Sequence, residues 1–177
     1  MRKIILFAFI VTLLLWGCTS SDGTGNFKLY LTDQPIDNAK EIWVRISEIN
    51  VQKEDEGFIT LWSSGTKEYD LLALQEQEAL ILDTTLKKGK YTQIRLVVVS
   101  GQIVIDGEPP HDMIVSSPEV KIPLVFHIME DGDIEIVLDF EAEHSIHVVS
   151  TGAHFNNDLV MWNGSWIRAP RTAAAGT

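Results

Sequence analysis

KIPLVFHIMEDGDIEIVLDFEAE, residues 121–143, decides the fold. Ile122, Leu124, Phe126 and Ile128 alternate with Lys121, Pro123, Val125 and His127. Ile134, Ile136, Leu138 and Phe140 then alternate with Asp133, Glu135, Val137 and Asp139. A period of two marks strands with one face in a core. A two-residue Asp131-Gly132 loop would set Ile128 opposite Glu135, joining an inward position to an outward one. A three-residue loop, Glu130-Asp131-Gly132, restores the match and gives Gly132 the left-handed position. The segment is therefore expected to be an antiparallel hairpin. Ile128 would face Ile134, Phe126 would face Ile136 and Leu124 would face Leu138. On its wet side Lys121 would lie opposite Glu141 and His127 opposite Glu135, pairs that support the register.

The same period runs outward in both directions. Phe27, Leu29 and Leu31 alternate with Lys28, Tyr30 and Thr32; Ile42, Val44 and Ile46 alternate with Trp43, Arg45 and Ser47. The apolar phase then slips to Ile49 and Val51, which predicts a bulge near Ser47-Glu48. Residues 57–62 (GFITLW) read as a short strand, and Ile94, Leu96 and Val98 mark another. Only DLLALQEQEALIL, residues 70–82, resembles a helix. Asp70 is a potential N-cap, and the expectation is a short turn or helix near 71–76 followed by a strand through 79–83. No internal repeat is present. Many short strands with Gly, Pro and Asp punctuation predict an all-β, two-sheet antiparallel β-sandwich, immunoglobulin-like or transthyretin-like.

The amino-terminal part has a different logic. Arg2 and Lys3 precede thirteen uncharged residues, 4–16 (IILFAFIVTLLLW), and Gly17 and Cys18 follow. As a helix that run reaches about 20 Å, too short for a hydrocarbon core of about 30 Å. A charged start, a short apolar stretch and a small residue at the end describe an export signal. Leu15-Trp16-Gly17-Cys18 resembles a bacterial lipobox, in which the cysteine becomes the first mature residue and carries a diacylglycerol. Trp16 departs from that pattern, which usually has a smaller residue there. Cys18 is the only cysteine in the chain; an unpaired thiol in an exported domain is a reactive liability, and acylation removes it. The expected organisation is a lipoprotein signal peptide over 1–17, the lipidated cysteine and a flexible tether over 18–25, one β-sandwich domain over 26–170 and a disordered tail over 171–177.

Losing residues 1–17 leaves 160 of the 177 residues and moves the formal charge from −11 to −13, because Arg2 and Lys3 leave with the signal. One domain of that size buries enough surface to fold without disulfides. Its negative charge repels phosphate backbones, so nucleic acid is not an expected partner.

Candidate chemistry is sparse. The carboxylates Asp133, Glu135, Asp139, Glu141 and Glu143 lie nearly 7 Å apart along one strand side, whereas a calcium site needs oxygens converging on one point. His144 and His147 are three apart and point to opposite faces of a strand, and no cysteine remains to complete a zinc site. No G-x-S-x-G, S-x-x-K or H-E-x-x-H motif occurs. Ser145 lies between His144 and His147 in sequence order, yet strand neighbours point apart and form no Ser–His pair. No catalytic residues, metal or cofactor are therefore assigned, and the chain is not expected to be an enzyme. Four tryptophans remain after processing: Trp43, Trp62, Trp162 and Trp166. Trp43 falls on the outward side of its strand. Trp162 and Trp166 flank Asn163-Gly164-Ser165, read as a hairpin turn. Exposed aromatics of this kind stack on sugars or anchor protein partners, so Trp43, Trp162 and Trp166 are the candidate ligand-binding residues.

Four segments taken together are familiar: LTDQPID (31–37), DLLAL (70–74), LKKGKYTQIRLVV (86–98) and LDFEAEHSI (138–146). In this order, behind a lipobox, they resemble the uncharacterised lipoprotein family called domain of unknown function 4382, from about residue 26 to residue 168. Glu141 stands where the family pattern implies an aspartate, and SWIRAP replaces a Lys-Pro element. Leu86-Lys87-Lys88-Gly89-Lys90-Tyr91 is similar to a turn of transthyretin-like and carboxypeptidase-regulatory-like sandwiches, where the glycine turns the chain and the tyrosine starts the next strand. The resemblance implies an exported β-sandwich with no assigned activity. Together these readings predict a membrane-anchored envelope lipoprotein, held at the cell membrane or outer membrane through its lipid, with the domain facing periplasm or exterior. Its task would be binding or scaffolding with an unknown protein or glycan partner. The rivals are a carbohydrate-binding surface module using its tryptophans, and an envelope hydrolase or metal-binding protein.

Overall fold

The computed structural model describes residues 23–33, 39–74 and 77–140, together with the backbone of strands at 146–149, 159–162, 167–168 and 172–174. Cys18 and residues 1–17 lie outside the described residues. The strands, in chain order, are β1 (Thr24–Asp33), β2 (Ala39–Lys53), β3 (Gly57–Trp62), β4 (Lys67–Asp70), β5 (Ala79–Lys87), β6 (Gly89–Ile105) and β7 (His111–Val115). They continue as β8 (Glu119–Ile128), β9 (Asp133–Phe140), β10 (Ile146–Val149), β11 (Leu159–Trp162), β12 (Ile167–Arg168) and β13 (Thr172–Ala174). A five-stranded sheet runs β12-β9-β1-β5, with β13 also on β9. An eight-stranded sheet runs β10-β11-β7-β6-β2-β3, with β4 also on β2 and β8 also on β6. The chain is thus an all-β sandwich, antiparallel except for the β1–β9 and β11–β7 pairs. Among the described residues no helix is long and apolar enough to cross a membrane.

The alternation seen in the sequence becomes the core. Phe27, Leu29 and Leu31 from β1, Ile42, Val44 and Ile46 from β2, Ile94, Leu96 and Val98 from β6, and Ile136, Leu138 and Phe140 from β9 are all buried. The phase slip in β2 is real: Ile46 pairs with Val98 and Glu48 with Val97, leaving Ser47 as the extra residue. A second slip lies beside it on β6, where Arg45 pairs with Ser100 and Ile46 with Val98, so Val99 bulges outward. Between β4 and β5 the chain makes a single 3-10 turn at Leu72–Leu74. Asp70 caps it, accepting the Leu72 amide at 3.2 Å and the Ile42 amide at 3.1 Å through Oδ1.

The opening segment departs from its expected pairing. β8 and β9 do not form a hairpin. β8 pairs with β6 in the larger sheet and β9 pairs in parallel with β1 in the smaller one. Residues 129–132 therefore carry the chain from one layer to the other as an arch. Ile122, Phe126 and Ile128 still point inward, as do Ile136, Leu138 and Phe140, but they meet across the core. Inward parity is the same for a hairpin and an arch, so alternation alone does not separate them. His127 faces Lys90 and Lys121 faces Arg95. Glu135 faces Lys28, and the two form an ion pair at 3.4 Å. The left-handed residue of the arch is Asp131 (φ 55°), not Gly132; aspartate tolerates that region better than most side chains.

One end of the sandwich gathers the start of β1, the arch and the β5–β6 turn. The Lys88 amide donates to Gly23 O at 2.7 Å, the Asp131 amide to Thr24 O at 2.9 Å and the Asn26 amide to Gly132 O at 2.8 Å. A Cβ on Gly25 would lie 2.5 Å from Met129 O and 2.7 Å from Gly132 O, so only glycine fits this crossing. Gly89 turns β5 into β6 at φ 150°, and Tyr91 follows it into the core. Its hydroxyl donates to Lys87 O at 2.8 Å. Its ring stacks on Phe126 at 5.0 Å, and Phe126 stacks on Phe27 at 5.5 Å. Burial raises the Tyr91 phenol above its ordinary pKa, against an opposing pull from Lys53. β1 begins at Thr24, inside the stretch read as tether, and Thr172–Ala174, inside the expected disordered tail, pairs with β9.

Candidate functional site

A cleft of about 320 Å³ opens on the outward face of the larger sheet. It crosses four adjacent strands, β4, β2, β6 and β7. Trp43 is a direct cross-strand partner of Gln102, and Gln102 of Asp112. Two residues along, Glu68 pairs with Arg45, and Arg45 with Ser100. These two rows form the walls and floor, with Gly101 and Met113 lining the cleft as well. The paired bulges at Ser47 and Val99 border the second row. Bulges bend a sheet and raise its twist, which favours a hollow where a regular sheet presents a flatter face.

The polar groups in the cleft are held in place before any ligand arrives. Arg45 Nε donates to Glu68 Oε1 at 2.9 Å. Gln102 Nε2 donates to Asp112 Oδ1 at 3.1 Å. The half-buried Trp43 ring is fixed by its Nε1–H, which donates to Glu41 Oε2 at 2.8 Å. At the far end of β6, Lys40 pairs with Asp106 at 2.6 Å, and that hydrogen bond holds the Asp106 carboxyl below its usual range. Under the cleft, Gly101 keeps its inner side clear for Met113: a Cβ there would collide with the Met113 methyl.

Of the aromatic candidates, Trp43 is the one seen in a built site. Trp162 ends β11, paired with Ile146 of β10 and Val115 of β7. Trp166 and the Asn163-Gly164-Ser165 segment lie outside the described residues. The hairpin expected there is corrected by the flanking strands: β11 belongs to the larger sheet, and β12 pairs with β9 in the smaller. His144, Ser145, Glu141 and Glu143 also lie outside the described residues, as does the side chain of His147. On β9, Asp133 accepts from Asn26 at 2.6 Å and Glu135 from Lys28 at 3.4 Å, so neighbours meet these carboxylates one by one. Among the described residues no three His, Cys, Asp or Glu side chains gather as a metal site. Sequence reasoning missed Arg45, Glu68, Ser100, Gln102 and Asp112. They belong to no motif, and only strand register brings them together.

The two sheets make an all-β domain, and the larger one carries a polar cleft on its outward face. The family profile described as "Domain of unknown function (DUF4382)" matches residues 24–156, and the chain belongs to that family. No curated protein and no solved structure matches it.

Proposed function

We propose that this chain is a lipid-anchored envelope protein whose sandwich is a non-catalytic binding module, exposed to periplasm or exterior. The observation that carries the anchor is the lone Cys18 behind Gly17 and an apolar run too short to span a bilayer. Two or more acyl chains give stable attachment at about 0.8 kcal/mol per buried CH₂. The described chain enters the sandwich at Gly23, five residues after Cys18, a link of at most about 18 Å. Support for binding without chemistry comes from the cleft lining. Among the described residues its hydroxyl is Ser100, and no histidine or lysine lines the cleft to activate it. Its carboxylates are engaged by Arg45 and Gln102, an arrangement that suits recognition.

The test is intact mass of the mature protein together with globomycin treatment of expressing cells. A mature chain beginning at residue 18 with added diacylglycerol mass, and precursor accumulating under the drug, are expected. Cys18→Ser should release the protein from the membrane fraction. An unmodified thiol at position 18 in membrane-bound protein overturns the anchor.

A further inference from the structure

We infer that the Trp43 cleft binds an uncharged saccharide unit; this deepens, and rests on, the binding-module reading above. The argument is one of charge and donor pattern. Glu68, Asp112 and the nearby Glu41 oppose an anionic ligand such as a uronic acid or a phosphorylated sugar. Arg45 lies two residues from Trp43 on the same outward face of β2 and is paired with Glu68. Asp112 accepts from Gln102 and Glu41 from Trp43, so each carboxylate that could hold an ammonium group is already engaged by the protein. What remains welcome is a neutral molecule offering both donors and acceptors. Among the described residues, the terminal guanidinium nitrogens of Arg45 are available as donors. The second oxygens of Glu68 and Asp112 and the amide oxygen of Gln102 are available as acceptors, and the Ser100 hydroxyl serves as either. A hydroxylated ring presents that mixture on its edge and C–H groups on its face. The Trp43 indole supplies the apolar surface for that face.

Pre-organisation strengthens the assignment. The ion pair and amide–carboxylate pair fix the polar atoms in advance, so binding does not have to order them. Exposed pairs of this kind contribute little to stability. The cleft volume of about 320 Å³ sits at the small end of ligand sites and suits a mono- or disaccharide.

The experiment is a glycan array printed with neutral, uronic-acid, sulfated and amino oligosaccharides. It is probed with labelled full-length mature protein in a sugar-free detergent, alongside Trp43→Ala and Gln102→Ala variants checked for an unchanged unfolding midpoint. The expected result is binding to neutral glycans, weakened at least about tenfold by Trp43→Ala and measurably by Gln102→Ala. Trp43-dependent binding confined to acidic or amino glycans overturns the uncharged class while the binding module stands. Glycan binding indifferent to both variants overturns the cleft. Where no glycan binds, a photo-crosslinking amino acid at position 43 in living cells separates two outcomes. Capture of a protein there, with no glycan bound, replaces the saccharide by a protein partner; capture of nothing, with no glycan bound, sinks the binding module too.

Discussion

The two ends of this sandwich hold themselves together by different means. Where β1 begins, backbone hydrogen bonds gather around a glycine with no room for a methyl group, and side-chain pairs such as Asn26–Asp133 lie outside them. Behind them lie three stacked, buried rings, Phe27, Phe126 and Tyr91. In the cleft region the contacts are side chain to side chain and partly solvated. Lys53 at the first end and Trp43 at the second are ten residues apart on β2, about 30 Å. The first construction resists change and the second is open to exchange. That is the division expected of a domain held at one pole and recognising at the other.

The comparison breaks if substitutions at the two ends cost the same. Gly25→Ala carries the largest expected loss. Its methyl would strike two carbonyls that are themselves hydrogen-bonded, Met129 O to the Gly132 amide and Gly132 O to the Asn26 amide. Neither oxygen is free to retreat, so a loss of about 3 kcal/mol, or failure to fold, is expected in chemical denaturation. Tyr91→Phe should cost about 1 kcal/mol at neutral pH, the worth of the hydrogen bond to Lys87 O. It should also sharpen the contrast through pH. The folded phenol is raised above its unfolded value of 10.0, so its contribution is present below that pH and is lost as pH climbs through the folded pKa. Denaturation midpoints across pH 9–11 should therefore fall less steeply in the variant than in the parent, with Tyr69, also raised by burial, keeping part of the slope. Smallest of all, Gln102→Ala should move stability by no more than about 0.5 kcal/mol. A loss comparable to that of Gly25→Ala would make the cleft a structural element instead of a binding surface.

Much of the fold was legible because burial imposes a period of two on each strand. The Ser47 bulge could be read from the phase slip between Ile46 and Ile49, and Asp70 from its place before the Leu71–Leu74 run. Leu86 to Tyr91 announced a glycine turn and a tyrosine at the start of the next strand. Partner choice was not legible. A strand says which of its residues face inward, but not which strand lies beside it, and the β8–β9 arch satisfies the same alternation as a hairpin. The parallel β1–β9 pair joins residues more than a hundred positions apart, which no local pattern records. The cleft failed for the same reason. Trp43 was visible as an outward aromatic, yet Glu68, Ser100, Gln102 and Asp112 reach it only through the register of β4, β6 and β7.

The claim that one pole is tethered while the cleft stands clear of the bilayer has a direct measurement. With Cys18 acylated, a single fluorophore-labelled cysteine at Lys88→Cys or Ser100→Cys reports depth in vesicles containing headgroup-quencher lipids. Strong quenching at position 88 and little at position 100 is the predicted result. Equal quenching at both positions would contradict the account.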